Sequence, residues 1–282
     1  MCFALFACAF NLLIGYAGLL SFGHAAFFGG AAYVTAHAAK VWGLSPELSI
    51  LVGAAFSAVA GWIIGSLSIR RQGIYFAMVT LALSQMVYFL ALQLHFTGGE
   101  DGIQNIPRGM LFGMVDLRET LNMYFFVMGI FIACFAFIWR VVHSPFGHIL
   151  KAIRENESRA ISLGFRAERY KLMAFVLSAT LAGIAGATKA LVFQVASLID
   201  VQWQMSGEVI LMTLLGGMGT LLGPVVGSAL AVTLETHLAE SGYPVMVIIG
   251  LVFVICVMLF RKGIVGELLQ LWQWRSRVST KK

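Results

Sequence analysis

The chain has 282 residues, of which 60% are hydrophobic and only 11% charged. Water-soluble domains carry about 25% charged residues, so a soluble fold is excluded, and the apolar runs do not alternate as the ~10-residue strands of a membrane barrel would. The net charge of +6 is gathered in a central loop and a C-terminal tail, which reports orientation in a membrane and argues against nucleic-acid binding.

Uncharged runs of about 18 residues or more, each long enough to cross ~30 Å of hydrocarbon as a helix, recur along the chain. They predict an all-α polytopic transmembrane bundle of about eight to nine spans, forming one domain over residues 1–282. The expected spans are 2–20, 23–40, 48–69, 73–94, 122–142, 172–193, 206–222, 224–239 and 245–260. The cysteines Cys2, Cys8, Cys134 and Cys256 all fall in apolar runs without ligand-like spacing. They read as buried inert thiols, and neither a disulfide nor a metal site is expected.

The first run begins without positive charge and contains the lone Asn11, so it does not read as a signal peptide. It continues into GYAGLLSFGHAAFFGGAAY, where Gly15, Gly18, Gly23, Gly29 and Gly30 alternate with alanines. Small residues let membrane helices approach closely; a broken helix lining a cavity is the other reading, and the two are compatible. His24, within this stretch, reads as a hydrogen-bonded packing residue. Ser45-Pro46 marks a turn, and Arg70-Arg71 closes the next span on the cytoplasmic side. In the span after it, Thr80 and Ser84 are one helical turn apart on one face, with Gln85 beside them. Polar groups in a span serve interhelical hydrogen bonds or a wet path, and both readings stay open for these three.

Residues 97–120, TGGEDGIQNIPRGMLFGMVDLRET, form a turn-rich loop without net positive charge, placed outside. The segment HSPFGHILKAIRENESRAISLGFRAERYK, residues 143–171, is the longest polar stretch; from Lys151 to Lys171 it holds six Lys/Arg against three Glu. That excess places it in the cytoplasm. A helix over 146–163, ended by Gly164 at its C-cap, would present Arg154, Glu155, Glu157 and Arg159 as a charged surface around Ile153, Ala160 and Ile161. It reads as a docking surface or as a solvated helix on the membrane. Farther on, Lys189 reads as snorkelling to the headgroups, with Asp200 and Trp203 interfacial. SGEVILMTLLGGMGTLLGP, residues 206–224, predicts a discontinuous helix pair of the kind that lines transport pathways, with Glu208 capping the first piece or facing the path. The tail 261–282, with Trp272 and Trp274, is placed at the cytoplasmic surface.

Taken together, NLLIGYAGLLSFGHAAFFGGAAY, TGGEDGI, SPFGHILKAIRENESRAISLGFRAERYKLMAFVLSATLAGIAGA and LLGGMGTLLGPVVGSAL resemble the permease subunits of branched-chain amino acid ABC importers, specifically the second of the two membrane subunits. The resemblance covers nearly the whole chain. It implies that the central loop, through Arg154, Glu155, Glu157, Arg159, Ala160 and Gly164, docks an ATPase subunit, with Arg159 standing where the general importer pattern has a small residue. It also implies a homologous second permease, two ATP-binding subunits and a periplasmic binding protein as partners, in the lipid of an inner membrane. Family members usually have a further N-terminal segment, which fits the odd span count. Thr80, Ser84, Gln85 and Glu208 are the candidate pathway residues for an amino-acid substrate. No G-x-x-x-x-G-K-[ST] loop occurs, so the chain reads as a transport subunit and not an enzyme, with no cofactor expected. The alternatives are the same machinery carrying urea or short amides, and a self-contained ion-coupled transporter; an intramembrane enzyme lacks its nucleophile–base pair or zinc helix.

Overall fold

The computed structural model describes residues 1–111, 113, 115–239, 248, 250, 251, 254, 258 and 263–267. Ten α-helices are defined among them: α1 (Cys2–Asn11), α2 (His24–Lys40), α3 (Pro46–Ser68), α4 (Ile74–Gln93), α5 (Thr120–Val142), α6 (Pro145–Glu155), α7 (Glu157–Ser162), α8 (Ala167–Phe193), α9 (Trp203–Gly216) and α10 (Gly223–Ala239). The expected all-α bundle is therefore observed. Four of these helices, α3, α4, α5 and α8, are long and apolar enough to cross a membrane. Among the described residues, these four do not by themselves confirm the expected eight to nine spans. The segments 2–20, 23–40, 206–222 and 224–239 are held by shorter helices, and 245–260 lies largely outside the described residues, as does most of the tail 261–282.

Local backbone signals set several of these helix boundaries. After α1 the chain winds into a π-helix at Leu12–Ala17 and stops at Gly18, whose left-handed backbone (φ 73°) any side chain would oppose. α9 and α10 are separated at Gly217–Leu222, where Gly217 and Gly219 both take positive φ. Ser45 in extended conformation with Pro46 at the first helical position starts α3.

Helices α2, α3 and α8 form the centre, and their small residues set the spacing. A Cβ on Gly186 would collide with the backbone carbonyl of Phe28, one on Gly183 with the Ser57 side chain, and one on Gly30 would lie 2.8 Å from the Phe56 ring. Ser57 Oγ donates to the Phe27 carbonyl at 3.0 Å across the same seam. Close packing is thus the use of the small residues along α2, α3 and α8. His24 is fully buried against Phe10, Phe27 and Phe175. Its Nε2 lies 2.8 Å from Ser178 Oγ, and that hydroxyl donates onward to the Ala9 carbonyl at 2.6 Å. Because the hydroxyl proton is committed to Ala9, Nε2 is the donor to Ser178. The histidine ties α1, α2 and α8 together, as its packing reading expects.

Contacts define two ends of the bundle. At one, residues 103–104 pair antiparallel with 195–196, Arg108 Nη2 donates to the Val192 carbonyl at 2.7 Å, and Lys40 Nζ donates to the Gln104 carbonyl at 2.7 Å. A two-residue hairpin ladder, 110–111 with 115–116, belongs to the same loop. The opposite end gathers the π-helix, the turn at 69–73, the α6–α7 hairpin and the α9–α10 turn, and carries most of the Lys and Arg among the described residues.

Two expectations about charge are corrected here. Lys189 does not snorkel and Asp200 is not interfacial: their side chains are 10% and 3% exposed and pair at 2.6 Å. Asp200 also accepts from Ser197 N at 3.4 Å and Ser197 Oγ at 3.2 Å, closing a capping box on the turn Leu198–Val201. Gly29 lets α2 rest on this turn, since a Cβ there would lie 2.6 Å from the Asp200 carbonyl carbon. Each charge thus meets its counter-ion away from water.

Candidate coupling site

The α6–α7 hairpin is built from local signals. Ser144 N-caps α6 by accepting from Gly147 N, Pro145 takes the first helical position, and Gly147 lets the turn press on the carbonyls of Val141 and Val142. The expected single helix over 146–163 is two helices. Asn156 is extended (φ −156°, ψ 97°), and its side chain accepts from Arg159 N at 3.0 Å. An asparagine side chain competes for helix N–H groups, so it ends α6 and caps α7. Gly164, at φ 90°, ends α7: its N–H bonds the Ile161 carbonyl and Phe165 N bonds Ala160. This is the left-handed stop that its glycine predicts.

The hairpin folds on its own small core of Ile153, Ala160 and Ala167, with Ile149 and Tyr170 against it. Ile153 and Ala160 therefore lie inside, not on the charged surface where the sequence placed them. Glu155, Arg159 and Gly164 are exposed, as are Ile161 and Leu163 at 56% and 71%. Glu157 turns inward: it pairs with Lys171 of α8 at 2.6 Å and accepts from Gln72 Nε2 at 3.2 Å. Arg154 is exposed as a residue, yet its Nη1 donates to the carbonyl of Gly15. Lys151 Nζ lies over the Tyr16 ring, 5.4 Å from its centre. A cavity of about 480 Å³, lined by Gly18, Gln72, Gly73, Arg154, Glu157 and Lys171 among others, opens beside these contacts.

Among the pathway residues, Thr80 and Ser84 are fully buried and share a face of α4. Thr80 Oγ1 accepts from Phe22 N at 3.2 Å and donates to the Ala77 carbonyl at 2.9 Å. Ser84 Oγ and Gln85 Nε2 are buried atoms without a hydrogen-bond partner among the described residues. Glu208 does not cap its helix. α9 begins at Trp203, which leaves Glu208 in the second turn, half-buried. α4 and α9 touch, but among the described residues no hydrogen bond joins Glu208 to the three polar residues of α4.

The sequence reading passed over one cluster. Asn11, buried at the end of α1, donates from Nδ2 to the Thr220 carbonyl at 2.8 Å and accepts from Gly219 N at 2.9 Å. Its only sequence signal is that it is the lone polar side chain of the first run, which marks an intramembrane polar residue as one with a specific partner.

The family model for the branched-chain amino acid transport system / permease component matches residues 1–260. The high-affinity branched-chain amino acid transport system permease protein LivM of Salmonella typhimurium is 28% identical over 273 residues, 89% of this chain and 64% of that protein. Its Escherichia coli counterpart is 27% identical over the same shares. This chain thus spans somewhat under two thirds of the length of these relatives. The ribose import permease protein RbsC of Bacillus subtilis is 28% identical over 245 residues, 79% of this chain and 70% of that protein. No solved structure matches the chain. With the match extending from the first residue through the hairpin and the α9–α10 turn, the chain belongs to the family of permease components of branched-chain amino acid transport systems.

Proposed function

We propose that this chain is one of two homologous membrane subunits of an ATP-driven importer in the cell inner membrane. It receives branched-chain or related amino acids from a periplasmic binding protein and passes them to the cytoplasm, while two partner subunits hydrolyse ATP. The observation that carries this reading is the α6–α7 hairpin: it shows Glu155, Arg159, Ile161 and Leu163 outward while anchoring its inner side on the bundle. Two large exposed apolar residues framed by charges suit a protein partner. Membrane spanning by itself does not need such a structure.

The substrate route we assign runs along α4, with Thr80, Ser84 and Gln85, and past Glu208 of α9. Ser84 Oγ and Gln85 Nε2 lack partners among the described residues, and unpaired buried donors and acceptors suit a zwitterion that passes by exchanging hydrogen bonds. The cargo has a second reading. Similarity to a ribose permease supports a scaffold that leaves ligand choice to the binding protein, so related small polar molecules fit the same machinery.

The test is affinity purification of the tagged chain from its native membrane in mild detergent. The unmodified chain is expected to bring down an ATPase and a binding protein whose bound ligand identifies the cargo. The double variant Arg159→Glu, Leu163→Asp is expected to lose most of the ATPase while keeping the same yield of folded chain, because neither residue packs inside the hairpin. Equal recovery of ATPase by both chains would remove the hairpin from the docking surface.

A further inference from the structure

Arg154 lies on the hairpin that the importer reading assigns to the ATPase, yet its guanidinium points away from that partner, into the bundle. Its acceptor, the Gly15 carbonyl, belongs to the last turn of the π-helix Leu12–Ala17. The last four carbonyls of a helix have no partner within it, and the negative end of the helix dipole favours a cation there. Two further contacts extend this one. Gly15 packs on Gly219, where a Cβ on Gly15 would lie 2.8 Å from Gly219 N, and a Cβ on Gly219 would lie 3.5 Å from Arg154 Nη1. Asn11, one turn earlier, holds Gly219 and Thr220 through both ends of its amide.

Three segments distant in sequence thus meet in one polar cluster: the hairpin, the end of the first helix, and the break between α9 and α10. We infer that Arg154 is a transmission residue, through which movement of the hairpin is delivered to the Gly15 carbonyl and from there, by Asn11, to the α9–α10 break. The inference rests on the importer reading. The break is suited to receive such a movement. Gly217 and Gly219 stand at φ 116° and 77°, conformations outside a helix that only glycine adopts at little cost, so the turn is a joint between two rigid rods. A second inward bond of the hairpin, Glu157 with Lys171, runs to α8 and not to the α9–α10 break. Among the described residues, Arg154 gives the hairpin its hydrogen bond to the segment that packs on the jointed pair. It acts as a positioning residue and touches neither ATP nor cargo.

The experiment uses the complete importer, this chain with its companion permease, ATPase subunits and binding protein, in sealed liposomes. Radiolabelled leucine moved and ATP hydrolysed are measured together, and the readout is leucine moved per ATP. A charge-assisted hydrogen bond of this kind contributes enough to shift an equilibrium on the order of tenfold, and Arg154→Gln is expected to lower the ratio by about that factor. Arg154→Lys, which keeps a charged donor, is expected to retain most of the ratio. Asn11→Ala cuts the relay inside the bundle without altering the hairpin and is expected to lower the ratio as Arg154→Gln does, so the idea stays testable if one variant fails to assemble. Arg169→Gln, at an exposed position on α8, should leave it unchanged. If transport and hydrolysis instead fall together in Arg154→Gln and Asn11→Ala, leaving leucine per ATP unaltered, Arg154 is a structural cap and the inference is overturned. Failure of the importer reading would look different: the unmodified assembly would neither hydrolyse ATP nor move leucine.

Discussion

Asp200→Asn is expected to lower the thermal midpoint of the purified chain by roughly 10 °C. The carboxylate neutralises Lys189, and both side chains are almost wholly enclosed. Removing one charge of a buried pair leaves the other uncompensated and costs about 3–5 kcal/mol. Ser197, which bonds Asp200 through both its N–H and its hydroxyl, would lose part of its cap as well. The effect reaches beyond the Leu198–Val201 turn because α2 rests on it at Gly29. A sharper form of the prediction uses the double variant Lys189→Met, Asp200→Asn. It is expected to be more stable than Asp200→Asn alone, since no buried charge is then left unpaired. Thermal unfolding of the two variants in one detergent decides it: equal midpoints would show that the pair contributes by shape and not by charge.

Gly186→Ala is expected to destabilise the chain by about 1–3 kcal/mol, toward the upper end, because the added carbon meets backbone and not a side chain that can swing away. The atom it would meet is the Phe28 carbonyl on α2. α2 and α8 would have to part along the seam that also holds the His24–Ser178 hydrogen bond. Gly129→Ala in α5 is the matched control. There the new Cβ has no described atom within 4 Å, and replacing a mid-helix glycine by alanine stabilises by about 0.5–1 kcal/mol. Opposite signs for two identical substitutions would establish close approach as the role of the α8 glycines. Equal and small effects would show that the seam yields.

Much of the bundle was legible in the sequence. The long helices α3, α4, α5 and α8 lie within a few residues of the expected spans, because an uncharged run near 20 residues has one stable form in hydrocarbon. The turn signals agree with the structure as well: Ser45-Pro46 leads into α3, and Gly164 stops α7. These depend on a residue and its near neighbours. The misjudged boundary at Asn156 was also local; an asparagine inside a helical pattern is as much a cap as an interruption.

The charged side chains were another matter. Composition shows that the hairpin is cationic, since a surplus of Lys and Arg between two apolar runs is read directly from the sequence. It did not settle which of those charges face outward. Glu157, Lys171, Lys189 and Asp200 look like surface charges when read one at a time, and the fold pairs each of them across a turn or between helices. Arg154 meets a carbonyl 139 positions away, and Asn11 meets Gly219 and Thr220 across 208 and 209 positions. A backbone carbonyl carries no sequence signature, so such an acceptor becomes visible only once the helix that bears it has ended in the right place. The sequence by itself determined that this chain crosses a membrane in helices, where those helices turn, and which end is basic, because these follow from local hydrophobicity and backbone preference. Tertiary structure alone decided which polar groups are joined across the bundle, because the cost of burying a charge is met by a partner that only folding brings near.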